Sequence, residues 1–131
     1  MKLLFPLCFG ALLTLGIGSC KKVEGPGGSS TFTGVVHAEV YDGAGNLLTD
    51  YDIEKEDVYI IYGADGTTFD DDVETSYDGT FKFEYLEEGD YQLFVYDKCT
   101  TCPGGKEVQL INVSITDKKS TVMVDTIFIR K

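Results

Sequence analysis

Cys99 and Cys102 are separated by two threonines, a spacing at which two thiols can form a disulfide, exchange electrons or bind a metal. Redox motifs of this spacing lie at a helix N-terminus, whereas residues 103–105 (PGG) follow this one and the flanking residues have strand patterns. A structural zinc site needs four ligands, and His37 is the only histidine. The sequence therefore predicts a local disulfide, with redox chemistry and metal binding as alternatives.

Two acidic runs, residues 50–54 and 70–74, place a carboxylate at every second position, so that their side chains would share one side of an extended chain. Asp70, Asp72 and Glu74 are the calcium candidates. Calcium needs about 6–8 converging oxygens, more than one run supplies. Neither run has the glycine and final glutamate of an EF-hand loop. We therefore predict no metal site and interpret both runs as solvated faces that keep the protein soluble and discourage edge pairing.

The chain lacks the signatures of a catalyst. It has no G-x-S-x-G motif, and His37 falls on the expected outer face of a strand. With 22 acidic residues, pairs of carboxylates are unavoidable and do not by themselves indicate a glycosidase. The sequence predicts no enzyme and no cofactor. The formal net charge of −11 repels nucleic acid and excludes it as a partner.

Residues 78–96 form the segment around which the other elements are expected to pack. Phe81, Phe83 and Tyr85 alternate with polar residues, which predicts a strand with one buried face. After a turn, residues 91–96 alternate again, with Tyr91, Leu93 and Val95 on one face. The two runs together predict a β-hairpin.

The remaining strands are expected at residues 33–41, 57–62, 107–115 and 121–129, with an edge strand or irregular crossing at 67–77. Residues 47–57 are mostly polar and are expected to form a loop, with a short strand at residues 47–48 as the alternative. No stretch after residue 20 has helical periodicity. The sequence thus predicts an all-β sandwich of about seven strands in two sheets.

Residues 86–91 (LEEGDY) resemble a tyrosine corner, in which a tyrosine at a strand start bonds to backbone a few residues upstream. Gly89 would allow the tight reversal, and Leu86 would fill the core beside the ring. We expect the Tyr91 ring to be buried with its hydroxyl satisfied.

Two motifs carry a resemblance to a known family. Residues 78–95, read as D-G-x-F-x-F-x-x-L-x-x-G-x-Y-x-L-x-V, resemble the repeat motif of carboxypeptidase regulatory-like domains, which are prealbumin-like (transthyretin-like) sandwiches. Residues 34–45 (GVVHAEVYDGAG) are similar to the opening strand of those domains. The resemblance implies a Greek-key sandwich related to prealbumin and immunoglobulin domains. It also implies an accessory module without catalytic residues.

The N-terminal segment has the features of an export signal. Lys2 is followed by an apolar run, and residues 17–20 (IGSC) resemble the bacterial lipoprotein cleavage box. We expect residues 1–19 to be removed and Cys20 to carry lipid, including fatty acyl chains such as palmitate. An ordinary signal peptide and an uncleaved membrane anchor are the alternatives.

Residues 20–32 (CKKVEGPGGSSTF) are rich in Gly, Ser and Lys, so a flexible tether is expected there. The sandwich domain would then occupy residues 33–131. The expected location is the bacterial cell envelope, with the protein lipid-anchored to the outer membrane on its periplasmic or surface side.

Five aromatic residues cannot all point into the core, because their neighbours along the chain are also apolar: Tyr41, Tyr59, Tyr62, Phe94 and Tyr96. Some must lie on an outer face, either as cross-strand pairs or as a platform for carbohydrate or peptide. The sequence therefore predicts a lipid-anchored, non-catalytic envelope module that binds a glycan, a peptide or an envelope protein, or is structural. The alternatives are a subunit that docks a larger complex through a strand edge, and a thiol-redox lipoprotein.

Overall fold

The computed structural model describes residues 23–131, which form nine β-strands and a short 3₁₀ turn at Pro103–Gly105. The strands are β1 Pro26–Tyr41, β2 Leu47–Asp52, β3 Asp57–Tyr62, β4 Asp71–Glu74, β5 Thr80–Leu86, β6 Gly89–Lys98, β7 Lys106–Ile115, β8 Thr121–Met123 and β9 Ile127–Arg130. They make two sheets, so the prediction of an all-β, two-sheet sandwich is confirmed. The signal segment and Cys20 lie outside the described residues.

The first sheet is organised around β1. The N-terminal half of β1 pairs antiparallel with β5 and parallel with β8. Its C-terminal half pairs antiparallel with β2 and parallel with β9. A strand of 16 residues therefore supplies backbone partners to all four other strands of its sheet.

The second sheet has the order β4-β3-β6-β7 and is antiparallel throughout. The predicted central strand at residues 57–62 is β3, and the acidic stretch predicted as an edge is β4. Carboxylates on an exposed edge oppose pairing with other chains. At the opposite edge lies β7, ten residues long.

The predicted hairpin is wrong, because β5 and β6 belong to different sheets. β5 pairs with β1, whereas β6 pairs with β3 and β7. Both strands do bury an alternating face, but the two faces meet across the core instead of lying side by side. Period-2 alternation reports that a strand has a buried face and does not report which strand is its neighbour.

Tyr85 was predicted to lie on the buried face of β5, and it is 70% exposed. Its φ of 60° interrupts the alternation at the end of the strand. The break turns Leu86 inward, where it is 4% exposed, and directs the chain across to the second sheet.

The predicted flexible tether is also wrong for residues 26–32, which form the first part of β1. Phe32 is fully buried, and its ring packs edge-on against Tyr91 at 5.3 Å. Ser30 is buried as well, and its hydroxyl donates to the carbonyl of Asp117 at 3.1 Å. Glycine and serine dominate this stretch, but the buried ring of Phe32 and the hydrogen-bonded hydroxyl of Ser30 hold it in the sheet. Likewise β2 lies where a loop was expected.

The core lies between the sheets and draws on most of the strands. Its fully buried large side chains include Phe32, Val36, Val58, Ile60, Phe81, Tyr91, Leu93, Val95 and Ile129. Tight packing of these side chains gives the outer faces a fixed backbone on which surface residues can be positioned.

Candidate binding surface

Tyr59, Phe94 and Tyr96 lie on the outer face of the second sheet. Alternation requires this, because the residues on either side of each ring along β3 and β6 face inward, most of them into the core. Phe69, from the loop between β3 and β4, packs over them. We call these four residues the aromatic patch.

The rings of the aromatic patch hold one another in place. Tyr59 stacks on Phe94 with centroids 4.8 Å apart and 11° between the planes. Phe69 meets the Tyr59 ring edge-on at 4.8 Å, and Tyr96 does so at 5.6 Å. Such pairs contribute about 0.5–1.5 kcal/mol each beyond burial. Phe94 is covered by this arrangement, whereas Phe69 and Tyr96 remain 51% and 40% exposed.

The patch continues onto the neighbouring strands. On β7, Leu110 and Val108 pair with Phe94 and Tyr96, and both are exposed. On β4, Asp72 lies opposite Tyr59. The surface therefore has an apolar centre with a carboxylate along one side.

Side-chain amides border the patch in the next row of the sheet. Gln92 on β6 donates a 3.3 Å hydrogen bond to Asn112 on β7. This bond uses only part of the hydrogen-bonding capacity of the two amides. The border therefore offers both donors and acceptors to a polar ligand.

The Tyr59 hydroxyl stays protonated at neutral pH. Burial of the ring raises its pKa above the usual value of 10.0, and the nearby carboxylate of Asp57 raises the pKa further. Tyr59 can therefore donate a hydrogen bond at the acidic side of the patch.

The tyrosine-corner residues lie inside the fold and are not part of a ligand surface. Tyr91 is 1% exposed, and its hydroxyl donates to the carbonyl of Glu87 at 2.7 Å. Gly89, with φ of 147°, permits the reversal, and Leu86 is buried nearby. The hydroxyl also accepts from the amide of Gly25 at 2.9 Å, a contact that no sequence motif indicated.

Cys99 and Cys102 form a disulfide in the structure. The loop that they close is held to itself by the amide of Cys99, which donates to the carbonyl of Gly105 at 2.9 Å. Glu107 completes a compact group with the two sulfurs. Because both sulfurs are bonded to each other, that group offers a metal only one carboxylate.

The calcium candidates are not brought together. Within residues 23–131, the carboxylates of Asp70, Asp72 and Glu74 do not form a group of three whose oxygens approach within 4.8 Å of one another. Asp70 instead accepts a 2.7 Å bond from the amide of Tyr62. Asp72 and Glu74 are solvated members of the edge strand β4.

Two carboxylates of the other acidic run, residues 50–54, lie beside the single histidine. Asp52 lies 2.7 Å from Nδ1 of His37, and Asp50 lies 3.7 Å from Nε2. The ring also packs edge-on against Phe128 at 5.4 Å. The half-buried His37 thus serves cross-strand packing on the outer face of the first sheet, where the sequence placed it.

Sequence reasoning missed Phe69, Val108 and Leu110 as parts of the candidate surface. Phe69 lies in an acidic loop, and an isolated large aromatic among carboxylates was the available signal. The sequence predicts Val108 and Leu110 as strand residues, and the structure places both on the outward face of β7.

No protein-family model matches this chain, and comparison with curated proteins finds no relative. Across residues 23–131, no helix has both the length and the apolar character needed to cross a membrane.

Proposed function

We propose that this protein is a non-catalytic binding module of the bacterial cell envelope, held by lipid on Cys20, and that it takes carbohydrate on the aromatic patch. One observation carries the proposal: four aromatic rings lie on the outer face of the second sheet, and two of them, Phe69 and Tyr96, are substantially exposed.

The composition of the surface supports a sugar ligand. Apolar ring faces pack against aromatic side chains, while hydroxyl groups need nearby donors and acceptors. The patch supplies the rings, and Gln92, Asn112 and Asp72 supply the polar atoms at its border. Because the rings already support one another, binding would require little reordering of side chains.

Binding of the full chain to a panel of neutral and acidic polysaccharides tests this proposal. Affinity electrophoresis would compare the wild type with Tyr96→Ala and Phe69→Ala. Each substitution should weaken saccharide binding by about tenfold, the equivalent of about 1.4 kcal/mol. Tyr77→Ala is the matched control, because Tyr77 is 86% exposed and lies outside the patch. Failure to bind any saccharide, or equal binding by all variants, would contradict the proposal.

A second candidate function is docking of a partner protein along β7. Among the strands of residues 23–131, only β6 pairs with this edge strand, and residues 108–115 carry no charge although the chain is strongly acidic. An uncharged edge lacks the usual protection against strand addition. Alongside it, a groove of about 540 Å³ separates β7 from β8 and β9.

A photocrosslinking side chain introduced at position 110 tests this candidate in cells. Docking predicts one defined protein adduct at position 110 and none at the exposed control position 77. The adduct should disappear when Asn112→Asp places a charge on the edge. Adducts of equal intensity at both positions would mean that β7 is not a docking site.

A further inference from the structure

Cationic side chains gather at one end of this acidic molecule. Lys98, Lys106, Arg130 and Lys131 line a cleft of about 350 Å³, whose wall also includes Tyr96. We call it the cationic cleft. With 22 acidic and 11 basic residues in the chain, four cations around one cleft reverse the local sign of charge.

Two of these cations face each other without a counter-ion. Lys98 and Lys106 are direct partners in the β6–β7 register, so their side chains project to the same side of the sheet. Among residues 23–131, neither ammonium has a carboxylate oxygen within 4.0 Å. Like charges directly opposite each other destabilise a sheet. An anion bound between them would remove that repulsion.

Arg130 is a third cation that lines the cleft, and Glu39 lies opposite it in the β1–β9 register. The backbone amide of Arg130 donates to the buried carboxylate of Asp97, which fixes the end of β9 at the cleft. Within the described chain, its guanidinium makes no ion pair. Lys131 differs, because its ammonium is neutralised by Glu56 at 2.7 Å.

The cleft adjoins the aromatic patch through Tyr96, which belongs to both. The ring is 40% exposed, and the Lys106 ammonium lies 5.9 Å from its centroid. A ligand on the ring would therefore reach the ammonium group. A second cleft of about 380 Å³ shares Lys98, Arg130 and Lys131 and extends toward the disulfide loop.

We propose that the cationic cleft binds the carboxylate of a uronic acid residue, in a glycan whose neighbouring residues lie on the aromatic patch. This inference rests on the proposed carbohydrate function. Lys98, Lys106 and Arg130 supply charged donors for the carboxylate, and Tyr96 supplies a stacking surface for the sugar ring.

The cleft also holds an acceptor that suits a ligand with hydroxyl groups beside its charge. Glu56 lines the same cleft, where its carboxylate pairs with the Lys131 ammonium at 2.7 Å. The same carboxylate can accept hydrogen bonds from sugar hydroxyls. A ligand with one carboxylate and several hydroxyls matches this mixture of charges.

Calorimetry with the full chain tests the inference directly. The probes are oligomers of galacturonate, glucuronate and alginate, each with its carboxyl-reduced neutral counterpart. At least one acidic oligomer should bind about tenfold tighter than its neutral counterpart, as expected for charge-assisted hydrogen bonds. The double variant Lys98→Gln/Arg130→Gln should remove this preference. Lys82→Gln is the matched control, because Lys82 is exposed on the first sheet.

The outcomes separate the two proposals. Equal affinity for acidic and reduced oligomers, or a preference that survives in the double variant, would overturn the role of the cationic cleft and leave the carbohydrate function standing. Binding of neutral saccharides alone would have the same meaning. Absence of binding to every saccharide would overturn both. In Tyr96→Ala, binding of acidic and reduced forms should fall together, because the ring contacts sugar irrespective of charge.

Discussion

The amide of Gly25 donates a 2.9 Å hydrogen bond to the phenolic oxygen of Tyr91, 66 positions further along the chain. The same oxygen donates to the carbonyl of Glu87. Tyr91 therefore links the segment that enters β1 to the crossing between β5 and β6. The hydroxyl thus makes the local contact that the sequence motif indicated and a second, long-range contact that the motif did not indicate.

Replacement of Tyr91 separates the hydroxyl contribution from the ring contribution. Tyr91→Phe leaves a buried Gly25 amide without its partner, so it should lower the free energy of unfolding by about 1–3 kcal/mol. Tyr91→Ala empties an aromatic site in the core and should cost about 3–5 kcal/mol. Urea denaturation measures both. Tyr77→Phe, at an exposed ring, should change nothing, and losses of that size in the control would invalidate the comparison.

Stability should fall at alkaline pH in a way that depends on Tyr91. Burial raises the pKa of its phenol above the usual 10.0, although the hydrogen bond from Gly25 lowers that pKa somewhat. A raised pKa means that the fold favours the protonated form. Its stabilisation is therefore complete below about pH 10 and is lost as pH rises toward the folded pKa. Urea midpoints measured from pH 8 to 11.5 should decline less steeply in Tyr91→Phe. Parallel declines would show that the phenol does not contribute.

Asp97 should be a buried carboxylate that the fold requires. It is 5% exposed, and it accepts hydrogen bonds from the Arg130 amide and from the side chain of Gln109, which also donates to the carbonyl of Phe128. It thereby ties β6 and β7 to β9 of the other sheet. Asp97→Ala leaves the Arg130 amide without its acceptor and removes one of the two acceptors of Gln109, so it should cost about 2–3 kcal/mol in urea denaturation. Asp65→Ala, at an exposed loop, is the control. A loss below about 0.5 kcal/mol, the usual range for surface changes, would refute this structural role of Asp97.

The disulfide between Cys99 and Cys102 should stabilise the protein slightly and not be required for folding. The bridge closes a very short loop, for which the chain-entropy contribution is about 2 kcal/mol. A Cys99→Ser/Cys102→Ser variant should keep cooperative unfolding and lose about that amount. Thiol labelling of wild-type protein purified without reductant should find neither cysteine free. Complete loss of folding in the variant would mean that the loop organises far more of the sandwich.

Cys20 should be the lipidated N-terminus of the mature protein. Each buried CH₂ contributes about 0.8 kcal/mol to membrane binding, so two or more acyl chains give a stable anchor. Cys20→Ala protein should leave the detergent phase in Triton X-114 partitioning. Cys8→Ala should behave like the wild type, because that residue lies in the segment to be removed. Detergent-phase partitioning of Cys20→Ala would refute the assignment.

Sequence patterns predicted which residues form strands better than they predicted which strands pair with each other. Alternation in β6 correctly placed Tyr91, Leu93 and Val95 on a buried face. It did not predict that β5 pairs with β1, because pairing between distant strands leaves no period in the sequence. The composition of residues 26–32 suggested a flexible tether. Burial of the Phe32 side chain in the core instead fixes this stretch as part of β1.

The candidate site was predicted only in outline. The excess of aromatic residues indicated an outer platform, and Tyr59 and Tyr96 are part of it. Phe69 stands out in the sequence as an isolated aromatic among carboxylates, but the sequence does not show that its loop reaches the patch. The sequence also could not indicate the cationic cleft, because Lys98, Lys106 and Arg130 meet only after two sheets have assembled.

The parallel pairing of β1 with β9 has a consequence for the order of folding. β9 spans Ile127–Arg130, so the first sheet cannot close until the chain has been synthesised through these residues. The contact spans about ninety residues, and the entropy of closing so long a loop must be overcome before the pairing contributes. Folding is therefore expected to be slow and late, as in other domains dominated by distant contacts. A nascent chain that remains unfolded until β9 emerges is also in the form that a translocation channel can accept.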